Sequence, residues 1–210
     1  MTPEDLAARH PRLYHVTEPG AAESVARHGL LSASRIAALM GMPLTARRPA
    51  EVPLTHPDHG TMILNDQSPL SEAKLAACLD DGLTPAQWIA MLNERVFFWP
   101  DEKAMQALLT ARANRARGRD VLVFDTLGIA RAHGARMALS PFNSGSTLRK
   151  PVRRGRATYT PLGAVGYREW RGLRRASGIK KSLDSLREVT VMDAVPDARD
   201  HLHDVIEHRP

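Results

Sequence analysis

The apolar positions of this chain fall into short runs separated by turn residues. Two of them, Leu13-Tyr14-His15-Val16-Thr17 near the start and Arg187-Glu188-Val189-Thr190-Val191 near the end, read as brief strands of β-branched and aromatic residues, each with an ionisable side chain set into it. Val121-Leu122-Val123-Phe124 is apolar throughout and predicts a central strand. Thr61–Leu64, Val96–Trp99, Arg136–Ser140, Ala157–Leu162 and Glu188–Met192 complete the predicted strands. Helical spacing and capping residues predict a short helix opened by Thr2-Pro3-Glu4-Asp5, then Ala21–His28 closed by Gly29, Ser32–Met40, Ser71–Leu79, Thr84–Asn93 and Asp101–Arg117. A terminal helix is expected from Asp197 to about His208, and Pro43 to His59, rich in Pro, Thr and His, reads as an irregular loop. The order predicts one α+β domain on a curved sheet.

At 210 residues, with 43% hydrophobic and 25% charged residues, the chain fits a single globular domain. No run approaches the roughly eighteen apolar residues of a membrane span. The acidic start, Met1-Thr2-Pro3-Glu4-Asp5, does not read as a signal peptide. Cys78 has no second cysteine to pair with and sits among Ala76, Ala77 and Leu79, as on a buried helix face. A cytoplasmic protein without a membrane partner is expected.

Charge is unevenly spread. Between Thr147 and Lys181 lie eleven Arg and Lys against the single acid Glu169, a net +10 in a chain whose total is +6. Such a band points to a polyanion, and Tyr159, Tyr167 and Trp170 interleave it as bases could stack. Arg149, Arg153, Arg154, Arg156 and Arg171 are candidate phosphate contacts, with Ser144 and Ser146 from the loop Ser140-Pro141-Phe142-Asn143-Ser144-Gly145-Ser146-Thr147. A solvated basic loop and a serine-rich surface turn are the plainer alternatives.

His15 and Thr17 share one face of the first strand and offer two hydrogen-bonding groups. Glu188, in a central-looking strand, is costly to bury without partners. The chain carries no GxGxxG, Walker loop, GxSxG or HExxH; His56, His59, His201 and His203 lack a third ligand at recognisable spacing, so no metal is expected.

The "YHxT" strand followed by a helix ending in "GLL" resembles the opening of the NAD-dependent ADP-ribosyltransferase superfamily. The "EVTVxxxVP" segment resembles the catalytic-glutamate strand of its DarT-like branch, which modifies DNA. Segments "VFFW", "SPxNSGST" and "AVPD" also look like those of an uncharacterised bacterial family. The resemblance implies an ADP-ribosyltransferase-like, mostly antiparallel split sheet flanked by helices, spanning residues 1–210, with a basic loop or insert at about 147–181. It implies NAD as co-substrate. His15, Tyr14 and Thr17 would hold its ribose and amide, Phe98 or Trp99 would pack on nicotinamide, and Glu188 would activate the reacting ribose. Asn65-Asp66-Gln67-Ser68-Pro69 resembles the DarT-like segment that supplies an arginine; no arginine is present in it, which leaves Asn65 and Gln67 as contacts. The acceptor would be a nucleic acid, DNA rather than RNA. A toxin role would bring an antagonist protein. Two rival readings stay open at this point: an RNA 2′-phosphotransferase-like or ribonuclease-like enzyme using His15 and Glu188 as acid and base, and a non-enzymatic nucleic-acid-binding domain.

Overall fold

The computed structural model describes residues 1–44, 47–111, 114–148, 151–176 and 186–210. In chain order its elements are α1 (Pro3–Arg9), β1 (Arg12–Thr17), α2 (Ala21–His28), β2 (Leu30–Leu31), α3 (Ala33–Leu39), β3 (Val52–His56), β4 (Gly60–Leu64), α4 (Glu72–Ala76), α5 (Pro85–Asn93), β5 (Arg95–Phe98), α6 (Glu102–Leu109), β6 (Arg119–Asp125), α7 (Thr126–His133), β7 (Met137–Ser140), β8 (Thr160–Pro161), α8 (Tyr167–Ala176), β9 (Glu188–Met192), β10 (Ala194–Val195) and β11 (Leu202–His208). The fold is mixed α+β, and among the described residues the paired strands run antiparallel.

Two sheets carry the domain, ordered β1-β6-β11 and β5-β9-β7-β8. Among the described residues one main-chain bridge joins them: the Tyr14 amide donates to the Trp99 carbonyl at 2.9 Å and the Trp99 amide donates back at 2.8 Å. The ladder stops there, so beyond Tyr14 the strands β1 and β5 separate. Both sheets bury a common core in which Leu13, Phe98, Leu122, Phe124, Leu139, Val189 and Val191 meet, with Trp170 of α8 packed into it. On β9 this commits Val189 and Val191 to the core, and alternation sends Glu188 and Thr190 to the other face. A second cluster lies there, built on Trp88, Leu92, Ala138 and Tyr159.

Helix starts follow local chemistry. Thr2 and Thr84 form capping boxes with Asp5 and Gln87, each with Pro in the first turn, and Asp101 and Asp125 cap α6 and α7.

Four expectations are corrected. The C-terminal segment is a short 3-10 turn, Ala198–His201, followed by β11, because Leu202, Val205 and Ile206 find cores against β6. The Pro-rich loop contains β3; its Pro53 is tolerated because β3 pairs on one side only, with β4. The helix expected to reach Arg117 ends at Leu109, where Thr110 turns its hydroxyl back onto the Gln106 carbonyl. The strand expected over Ala157–Leu162 is a 3-10 turn at Arg156–Thr158 with only Thr160–Pro161 paired. No helix among the described residues is long and apolar enough to cross a membrane.

Candidate functional site

Where β1 and β5 part, the domain opens into a cavity of about 560 Å³, within the range of small-molecule sites. His15, Thr17, Phe98, Trp99, Asn65, Gln67 and Glu188 all line it. Strand β1 supplies one wall, β4 and its following turn another, and β5 with the end of α5 the base. Tyr14 is not among the lining residues: alternation turns it to the far face, where it packs with Trp99 against Met105, Leu109 and Val121.

His15 fills the gap left by the broken ladder. After the Tyr14–Trp99 pair, an unbroken antiparallel ladder would next join Val16 to Phe97. Instead the His15 ring donates from Nδ1 to the Phe97 carbonyl at 2.9 Å. A carbonyl can only accept, so the proton sits on Nδ1 and Nε2 is left as an acceptor. Desolvation lowers the His15 pKa and outweighs the Phe97 hydrogen bond, which pushes the other way. The ring is therefore a neutral acceptor at physiological pH, suited to a hydroxyl donor.

Glu188 is 5% exposed. The Ser144 amide donates to both of its oxygens at 3.1 Å, and the Ser144 hydroxyl donates to Oε2 at 2.6 Å. Burial nevertheless raises its pKa to about 7, against the pull of Ser144 and the nearby Arg154 charge.

Phe98 is fully buried, with its ring edge-on to His15 and Phe124. Trp99 and Phe97 are half-buried and line the cavity, and each also packs on an apolar cluster, Trp99 with Met105, Leu109 and Val121 and Phe97 with that of Trp88. Gln67 and Asn65 act through a residue that sequence reasoning missed. Arg48, 8% exposed and also lining the cavity, donates from Nε to the Asn65 carbonyl at 2.9 Å and from a terminal nitrogen to Asn93 Oδ1 at 2.9 Å. Gln67 donates to the same Asn93 oxygen and accepts from the Arg48 amide. Among the described residues the Arg48 side chain hydrogen-bonds only neutral groups, and Asp66 is the carboxylate whose field reaches it. By contrast Arg119 is paired with Glu18 and Glu51, and Arg117 with Glu51 and Asp66 at 2.8 and 3.2 Å. Burial raises the Glu18 pKa.

The surface reading of the basic band changes. Ser144 is fully buried and Arg154 is 2% exposed, so neither is available to a phosphate backbone. Their polar groups face inward because Ser144 serves Glu188, while Arg154 donates to the Ser144 and Val152 carbonyls. Tyr159 and Trp170 are core residues, and Tyr167 lies beneath the Arg9 guanidinium at 3.9 Å, so none of the three presents a free stacking face. Arg153 is exposed and paired with Asp80, Arg156 is exposed, and Ser146 is half-buried, accepting from the Leu148 amide. Arg149 and the side chain of Arg171 lie outside the described residues.

His201 meets His133, not His203. Among the described residues, His133, Asp197 and His201 are the group whose ligand atoms gather within 4.8 Å. Arg136 donates to His133 Nδ1 at 2.9 Å, which places the ring proton on Nε2, directed at Asp197. That tautomer has no lone pair for an ion, and the cluster reads as a strut between α7 and the 3-10 turn before β11.

Fold and site together define a class: an α+β domain whose antiparallel sheets part around a cavity lined by a neutral histidine, a buried glutamate and a buried arginine. The sequence profile of the family of unknown function DUF7002 matches residues 11–202, and the chain belongs to that family. No curated protein matches it.

Proposed function

We propose that this domain is an NAD-dependent ADP-ribosyltransferase, that its split antiparallel sheet is of the ADP-ribosyltransferase-like kind, and that it transfers ADP-ribose to a nucleic acid. The observation that carries the reading is that His15 and Glu188, from strands at opposite ends of the chain, line the same cavity. The resemblance of both strands to that superfamily supplies the ligand.

In this reading the nicotinamide ribose donates a hydroxyl to His15 Nε2, Thr17 adds a hydrogen bond, and Trp99 packs on the nicotinamide ring. Arg48 takes the place of the arginine missing from residues 65–69, and its charge suits the diphosphate. The bond from the ribose anomeric carbon to nicotinamide breaks, and its electron pair leaves on the nicotinamide nitrogen. The sugar carries oxocarbenium character, which ionised Glu188 stabilises through the 2′-hydroxyl. An acceptor nucleophile attacks the anomeric carbon and gives up its proton to water. The acceptor half of the reading rests on the net charge of residues 147–181, now without the stacking aromatics.

The test is release of nicotinamide from NAD with and without DNA or RNA oligonucleotides, read with the mass of the oligonucleotide. The expected result is nicotinamide release together with an oligonucleotide heavier by ADP-ribose. RNA cleavage or phosphate transfer without nicotinamide would move the protein to the phosphotransferase or ribonuclease reading. Nucleic-acid binding with no NAD chemistry would make it a binding domain.

A further inference from the structure

Glu188 is held by a residue that is itself held. Ser144 directs its amide and hydroxyl at the carboxylate, and its carbonyl points the opposite way, into a buried pair of donors. Arg154 donates to that carbonyl at 2.9 Å and the Trp88 indole N–H donates to it at 3.3 Å. Neither residue lines the cavity. We propose that Arg154 and Trp88 are positioning residues for Glu188: they clamp the Ser144 carbonyl, so that its amide and hydroxyl stay aimed at the carboxylate, and the Arg154 charge favours the carboxylate form.

Arg154 is an unusual residue to bury. Its hydrogen-bond partners are two main-chain carbonyls, and its guanidinium lies 5.0 Å from the Phe142 ring and 5.9 Å from that of Trp88. A buried cation resting on neutral groups is expensive unless an anion lies near. Among the described residues no carboxylate forms an ion pair with it, and Glu188 is the carboxylate within range of its field. The other titratable groups around Glu188 are Tyr159, its hydroxyl beside Ser144 and its own ionisation suppressed by burial, and Arg95, stacked on the Tyr159 ring at 4.0 Å. Cys78 lies near Arg154. Arg154 is thus the cation placed to offset the cost of burying Glu188, and Trp88 fixes the same carbonyl without contributing charge. This gives the two residues separable effects.

The catalytic meaning of the clamp rests on Glu188 being the reacting carboxylate, but the test reads the carboxyl group itself. Glutamate labelled with 13C at Cδ is titrated by NMR in the full chain, with the Glu188 resonance assigned by its loss in Glu188→Gln. Arg154→Gln keeps side-chain N–H donors and removes the charge. It is expected to raise the Glu188 midpoint by about half to one pH unit, roughly three- to tenfold in proton affinity. Arg154→Lys should recover part of that change, and Trp88→Phe should give a smaller rise in the same direction. An unmoved midpoint in folded Arg154→Gln overturns the proposal. If that variant does not fold, as judged by near-UV circular dichroism, an unmoved midpoint in Trp88→Phe overturns it instead. Failure of NAD turnover with the midpoint shifted would refute the proposed activity and leave the clamp standing.

Discussion

Glu188→Gln should make this protein more stable, with the gain building from about pH 4.5 and complete above about pH 7. The carboxyl has an ordinary value of 4.5 and is raised by burial to about 7. Between those values the folded state binds more protons than the unfolded one, so stability falls as pH rises through that window. The penalty is absent below pH 4.5 and complete above about 7. At 1.36 kcal/mol per pH unit, the rise comes to about 3 kcal/mol. Glutamine has nearly the shape of glutamate. Its oxygen accepts from the Ser144 amide, and the Ser144 hydroxyl can rotate to accept from its nitrogen. Urea unfolding at pH 8 should therefore show the variant more stable by about 3 kcal/mol, or Tm higher by roughly 6 to 12 °C. At pH 4 the two proteins should unfold alike. A variant less stable at both pH values would mean that Glu188 is well solvated by its partners, and the strained-carboxylate account would be wrong.

Nicotinamide release, where it occurs, should rise about tenfold from pH 6 to pH 8 along an ionisation centred near 7, because Glu188 must be charged; a flat profile would dissociate Glu188 from the chemistry. Arg48→Gln should weaken ADP-ribose binding by about tenfold or more, since it removes a charged hydrogen-bonding group, typically about 1.5–3 kcal/mol; calorimetry showing wild-type affinity would remove Arg48 from the site. Gly128→Ala would place a Cβ 2.6 Å from His201 Nδ1, in the strut around Asp197. Although alanine favours helices, the crowding should lower stability by about 1–3 kcal/mol, and an unchanged urea midpoint would show the strut to be slack. Arg153→Glu with Arg156→Glu should flatten the dependence of single-strand affinity on salt by about 1.4 in slope, two phosphates' share; an unchanged slope would place the nucleic-acid contact elsewhere or nowhere.

The two anchor strands were legible because a β-branched run with one polar interruption has few other readings. His15 and Glu188 stood out by residue type against their neighbours. Arg48 did not. It lies in a Pro-rich stretch without periodicity, and the groups that fix it, the Asn65 carbonyl, Gln67 and Asn93, come from elements separated from it in the chain. Ser144 and Arg154 misled for a related reason. A serine-rich loop and an arginine run look solvated, and only the packing of Trp88, Phe142 and Tyr159 around them reveals an interior site. The Tyr14 assignment failed on alternation alone, since His15 and Tyr14 cannot face one side of a strand. Strand β11 was hidden because seven residues with Val205 and Ile206 adjacent satisfy helical and extended patterns equally well.

The account turns on where NAD sits. A crystal structure of Glu188→Gln with intact NAD tests this most directly, because that variant should bind the dinucleotide without consuming it. The expected result places the nicotinamide ribose within hydrogen-bonding distance of both His15 Nε2 and the side chain at position 188. NAD bound away from both, or absent at saturating concentration from a well-formed cavity, would contradict the account.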